Sequence, residues 1–139
     1  MIWLPFDTKE SAYYIRLKEL GFKIIQSHIN EGKDFFEYQP EQWDVILSNP
    51  PFSKKDKVLK RLYELEKKFA VLLPLNPLQG KSRYECFKQG IQLLSFDGRI
   101  SYHSKIDLSD ETKGSPFASA YFCRGLLPKD LIVEKLNKG

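Results

Sequence analysis

Short apolar runs alternate along this chain with segments whose apolar residues recur at helical spacing, and no other feature restricts the fold as much. Ile2 to Phe6, Phe22 to Ile29, Trp43 to Ser48, Lys68 to Leu75, Ile91 to Phe96 and Ala118 to Cys123 read as strands. Between them, Ala12, Ile15, Leu17 and Leu20 form one helical stripe, and Val58, Leu59, Leu62, Tyr63 and Leu65 form a second. A shorter helical segment runs from Ser82 to Gln89, and a C-terminal helix is expected from Pro128 through Leu131, Val133 and Leu136. Strands that take turns with helices imply parallel pairing, because a parallel crossover needs a helix-length connection. The Lys68–Leu75 run is apolar almost without interruption, as in a strand buried on both faces. The fold class is therefore α/β, with a mostly parallel sheet and helices on both faces.

Local punctuation agrees with this reading. Asp7-Thr8-Lys9-Glu10 offers a capping acid with a Glu three residues on, which predicts a helix start there, and Gly21 and Gly90 stand where helices should stop. At 139 residues the chain is expected to form a single domain over 1–139, long enough to bury roughly two-thirds of the surface its unfolded form exposes. Residues 101–115, rich in Ser, Asp, Lys and Gly, are expected to be a mobile loop within that domain. Cys86 and Cys123 are too far apart for a metal-type spacing and suit a reducing cytoplasmic setting. No apolar run approaches the roughly 18–20 residues of a membrane span, and no leader pattern is present, so a soluble, unexported protein without membrane partners is expected. The 22 Lys+Arg against 18 Asp+Glu leave +4, compatible with nucleic acid without requiring it.

Chemistry concentrates at Ser48-Asn49-Pro50-Pro51-Phe52, which follows directly on the third strand. Ligands of α/β sheets sit beyond the carboxyl ends of the strands, so this segment stands where a site is expected. Two consecutive prolines fix the backbone, and Pro50 is kept out of the helical region by Pro51. The Asn49 side-chain oxygen and the Pro50 carbonyl are thereby held as two acceptors with little conformational freedom left to lose.

This segment resembles the catalytic tetrapeptide Asp/Asn/Ser-Pro-Pro-Tyr/Phe of the S-adenosylmethionine-dependent adenine-N6 methyltransferases, in the form found in phage and prophage. The resemblance implies a Rossmann-like methyltransferase sheet with an antiparallel last strand, S-adenosyl-L-methionine as cofactor, and a DNA or RNA substrate. Asn49, Pro50, Pro51 and Phe52 would then be catalytic, Asn49 and Pro50 accepting from the adenine amino group and Phe52 stacking on the extruded base. No metal is needed for that chemistry. Gly32-Lys33-Asp34-Phe35-Phe36 is similar to the family segment in which an acid takes the cofactor's adenine amino group and an aromatic packs on the ring, which implies those roles for Asp34 and Phe35. Pro5 and Phe6 match the start of the family's cofactor loop, and Asp7 is positioned to pair with the cofactor's ammonium group. Gln26 stands where the family has an acid gripping the ribose. Ser115 to Tyr121 resembles a segment that shapes the target-base pocket, and Phe117 or Tyr121 would supply a second wall. Lys54, Lys55, Lys57, Lys60 and Arg61, with Lys81 and Arg83 in a later loop, read equally as a phosphate-facing edge and as a solvated helix face, and residues 101–115 are the other candidate for reaching the substrate.

The chain departs from the family in its first loop, where no glycine follows Pro5-Phe6, and in having no separate recognition region. That departure supports a second reading, a catalytically degenerate methyltransferase-fold module that binds nucleic acid or a protein partner. A third is a homodimer or larger assembly in which a partner completes the site. Glutamine methyltransferases also use Asn-Pro-Pro-Tyr/Phe, so DNA, RNA and a protein amide all stay open as acceptors.

Overall fold

The computed structural model describes residues 1–75, 80–96 and 119–135. Its strands are β1 (Ile2–Leu4), β2 (Ile24–Gln26), β3 (Val45–Ser48), β4 (Lys68–Pro74), β5 (Gln92–Phe96), β6 (Ser119–Arg124) and β7 (Leu131–Glu134). The helices among the described residues are α1 (Ala12–Glu19), α2 (Lys55–Glu64) and α3 (Tyr84–Phe87). All seven strands join in one mixed sheet, in the order β2-β1-β3-β4-β6-β5-β7. β1 pairs in parallel with β2 and β3, β3 with β4, and β5 with β7, while β6 runs antiparallel to both β4 and β5.

Two expectations are corrected here. The C-terminal segment is a strand, not a helix: Leu131 and Val133 are two apart, the spacing of one strand face, and the β-branched pair Ile132-Val133 fits the free edge that β5 offers. The strand expected over Ala118–Cys123 is β6 and is antiparallel as expected, and the additional strand β7 runs parallel to β5. The first helix also starts later than Asp7. Ser11 is its N-cap, its Oγ accepting from Tyr14 N–H at 3.2 Å, while Thr8 Oγ1 accepts from Glu10 N–H in the preceding turn. At the other end the helix closes as expected on Gly21, whose φ of 88° lies in the left-handed region. Gly21 N–H donates to the Lys18 carbonyl and Phe22 N–H to that of Leu17, the paired bonds that satisfy a helix terminus. The expected 101–115 loop lies outside the described residues.

Strand register sorts the core. Trp3, Ile46 and Phe69 are neighbours across β1, β3 and β4, and they share a cluster with Val58, Leu59, Leu62 and Tyr63 of α2. On the opposite face Tyr121, the register partner of Leu72, joins its hydroxyl to that of Tyr13 on α1. Helices therefore cover both faces. The physical reason is directional: the chain steps from β1 to β2 one way along the sheet and from β3 to β4 the other way. Connections of one hand must then fall on opposite sides.

Candidate functional site

β1 has β2 on one side and β3 on the other, so the strand order reverses at this point and a crevice opens beyond the carboxyl ends. A cavity of about 610 Å³ occupies that crevice. Pro5 and Phe6 reach it from the end of β1, His28 and Ile29 from the end of β2, and Asn49, Pro50 and Pro51 from the end of β3. Asp34, Phe35, Phe36 and Lys54 complete the lining. Its size is within the usual range of small-molecule sites, about 300–1,000 Å³, and its wall is mainly apolar with a few polar groups.

The wall around Asp34 is built from the core outward. Trp3 anchors it: its ring meets Phe35 at 5.5 Å and Trp43 at 5.0 Å, and its Nε1–H donates to Ser27 Oγ at 2.9 Å. Phe35 is only 2% exposed and also packs on Phe6 at 5.1 Å. The backbone then turns about Asp34, whose carbonyl accepts from Tyr38 N–H at 2.7 Å and whose Oδ1 accepts from Phe36 N–H at 3.0 Å. The other carboxylate oxygen, Oδ2, makes no hydrogen bond among the described residues. From α2, Arg61 holds the turn from outside, donating from Nε to the Phe35 carbonyl and from its terminal nitrogen to Gln39 Oε1, both at 3.3 Å.

At the end of β3 the chain leaves Ser48 buried, Asn49 exposed, Pro50 buried and Pro51 exposed. Lys54 N–H donates to the Pro51 carbonyl at 3.0 Å, starting the turn that leads into α2. Asn49, Pro50 and Pro51 thus converge on the same cavity as Asp34 and Phe35, together with Pro5, Phe6 and Lys54.

Other residues anticipated from sequence are placed elsewhere. Asp7 and Gln26 do not line the cavity and instead interact with each other: the Gln26 amide nitrogen donates to the Asp7 carbonyl at 2.9 Å and to Glu31 Oε1 at 3.1 Å. Asp7 Oδ2 is buried with no hydrogen-bond partner among the described residues, and burial pushes its carboxyl up from 3.8 to about 6. Lys55 is half-buried and outside the lining. Tyr121 is taken up with Tyr13 and with the edge of Phe96 at 6.5 Å, on the face opposite α2. Phe117 and the Phe52 side chain lie outside the described residues.

Ile29 and Phe36 have no role in the sequence reading, and His28, which closes the second strand, reads there as a plain polar residue; all three line the cavity. A signal for His28 existed, since it follows the end of a strand at a switch point, where polar residues face ligands. Its Nδ1 accepts from Asn30 N–H at 3.0 Å, so the neutral ring carries its proton on Nε2. Phe36 rather than Phe35 is the half-buried ring, a distinction set by the turn at Asp34 and invisible in two adjacent phenylalanines.

The chain matches no protein-family model and no curated protein sequence.

Proposed function

We propose that this chain is a methyltransferase of Rossmann-like fold that binds S-adenosyl-L-methionine in the switch-point cavity and methylates the exocyclic amino nitrogen of adenine in DNA or RNA. One observation carries the reading: two separate segments, Asn49-Pro50-Pro51 and Asp34-Phe35-Phe36, line one cavity at the reversal of strand order. The residues present suit the cofactor's adenosine end. Asp34 Oδ2 is free to accept from an adenine amino group, while Phe6, Ile29 and Phe36 offer apolar walls to the ring. Gln26 is committed to Asp7 and Glu31, so His28 is the better-placed donor for a ribose hydroxyl.

S-adenosylmethionine would supply an activated methyl group on its sulfonium. The chain's own part is to hold the acceptor. An adenine amino group is a poor nucleophile because its lone pair is delocalised into the ring. Acceptance of its two hydrogens by Asn49 Oδ1 and the Pro50 carbonyl favours a pyramidal nitrogen with its lone pair directed at the methyl group. The prolines hold both acceptors in place before substrate arrives. Methylation obliges the nitrogen to shed a proton, and water reaches Asn49, which is exposed.

Calorimetric titration with S-adenosylhomocysteine tests the reading. Saturable binding that Asp34→Ala weakens by roughly 10- to 150-fold, the worth of one hydrogen bond to a charged group, is the expected result. Absence of binding at millimolar ligand would overturn it. A second reading, a module that binds without turnover, is favoured by the commitment of Gln26 and the glycine-free loop after β1. It predicts ligand or nucleic-acid binding with no transfer of labelled methyl to any oligonucleotide.

A further inference from the structure

A second cavity, of about 480 Å³, adjoins the first and shares Asp34, Phe36 and Lys54 with it. It runs along the outer side of α2, where Lys57, Lys60, Arg61 and Glu64 form its floor. At 100° per residue these positions and Lys54 fall within a stripe opposite Val58, Leu59, Leu62 and Tyr63, which face the core. An ordinary solvated helix face is convex. Here the face is one wall of a groove closed on its far side by the Asp34–Phe36 turn. Among the described residues no carboxylate stands within ion-pair distance of Lys54, Lys57 or Lys60. Arg61 is held by Phe35 and Gln39 and so fixes the groove's width.

We propose that this groove is the track for the sugar–phosphate backbone of a single nucleic-acid strand whose target base enters the neighbouring cavity. The inference rests on the methyltransferase reading, whose acceptor is an adenine of DNA or RNA, and adds the path that the strand carrying that adenine takes outside the cavity. Lys54, Lys57 and Lys60, unpaired with carboxylates among the described residues, recur about 4.5 Å apart along the helix axis at 1.5 Å per residue and so set a row of positive charge about 9 Å long beside the cavity. Phe36, on the wall the two cavities share, presents a ring on which a flanking base can stack. Lys54 lines both cavities and would bind the phosphate nearest the flipped base. Lys55 lies outside the groove and has no part in it.

The test measures binding of a fluorescein-labelled single-stranded oligonucleotide by anisotropy as a function of salt. It compares the full chain with the double variant Lys57→Gln/Lys60→Gln and with a control of equal charge, Lys9→Gln/Lys23→Gln, whose side chains are exposed and outside the groove. Each lost phosphate contact on a single strand lowers the salt slope by about 0.7, so the groove variant should lose about 1.4 in slope and about 25-fold in affinity at 0.1 M salt. The control should match the parent chain. Equal affinities for parent and groove variant overturn the proposal, as does an equal loss in the control, which would mean diffuse charge attraction. Competition by polyglutamate as effective as by oligonucleotide of the same charge overturns it too. Titration of the parent chain with S-adenosylhomocysteine reads the cofactor assignment separately: no binding there, with the groove effect intact, removes the methyltransferase reading and leaves the groove.

Discussion

Asp7 is the residue whose replacement tells most about what a buried charge costs this fold. Its carboxyl is buried, its Oδ2 is unpartnered, and its value is pushed from 3.8 to about 6. The folded chain therefore holds this proton more tightly than the unfolded chain. Stability from the protonated form is fully present below pH 3.8 and is lost as pH rises toward 6, above which the carboxylate is a constant penalty. At 1.36 kcal/mol per pH unit the penalty at pH 7 is at most about 3 kcal/mol. Asp7→Asn removes the charge at nearly constant shape but leaves amide hydrogens without an acceptor, which offsets about 1 kcal/mol. The net expectation is a gain of about 2 kcal/mol at pH 7, or about 7 °C in Tm for a domain of this length. Between pH 7 and pH 4 that gain should shrink by about 2 kcal/mol, because parent and variant converge once Asp7 is protonated.

Urea denaturation followed by tryptophan fluorescence at the two pH values measures this directly. A variant less stable than the parent at pH 7, or one whose advantage is the same at both pH values, would refute the reasoning. Asp7 does not line the cavity, so S-adenosylhomocysteine should raise the Tm of the parent and of Asp7→Asn by the same amount.

Three further substitutions follow from the geometry. Ser27→Ala leaves the buried Trp3 Nε1–H without its acceptor and should cost about 1–3 kcal/mol in urea denaturation. Gly21→Ala forces a side chain into the left-handed conformation that closes α1 and should cost about 1 kcal/mol by the same measurement. Arg61→Ala frees the Phe35 carbonyl and should weaken S-adenosylhomocysteine binding several-fold in calorimetry, and Arg61→Lys should not restore it, since only the planar fork reaches Phe35 and Gln39 together.

The alternation of strand and helix was legible because each element carries its own periodicity. What the sequence could not display is pairing at a distance. Leu131 to Glu134 has no local mark of its partner, and only the free edge of β5, which Leu93 and Phe96 bring to it, turns a plausible last helix into a strand. The start of α1 was misplaced for a related reason: Asp7 has the capping pattern, but its side chain is drawn inward and Ser11 takes the cap. In the site, residues at strand ends were visible because their position follows from the strand. Phe36 and His28 were not, since each is aimed by a side-chain-to-backbone hydrogen bond within a turn. For Gln26, strand position alone suggested a ribose contact, and the hydrogen bonds that commit it to Asp7 and Glu31 appear only in three dimensions.

The cavity wall and the core share material, and this determines which substitutions can speak about function. Phe35 lines the cavity, yet it is almost wholly buried and packs against Trp3, Phe6 and Phe36. Truncating it to Ala should cost about 3–5 kcal/mol, a large fraction of the roughly 5–15 kcal/mol that holds a domain together. Loss of ligand binding in that variant would report collapse of the wall, not loss of a contact. Asp34 differs because only its Oδ1 serves the fold, through Phe36 N–H, while Oδ2 has no structural partner among the described residues. Asp34→Asn keeps the turn-forming oxygen and replaces the free acceptor by a donor, so it should leave the urea midpoint near that of the parent while rejecting an amino group from the cavity. A midpoint shifted as far as that of Ser27→Ala would show that Asp34 is a structural residue and would remove the main support for assigning it to a ligand.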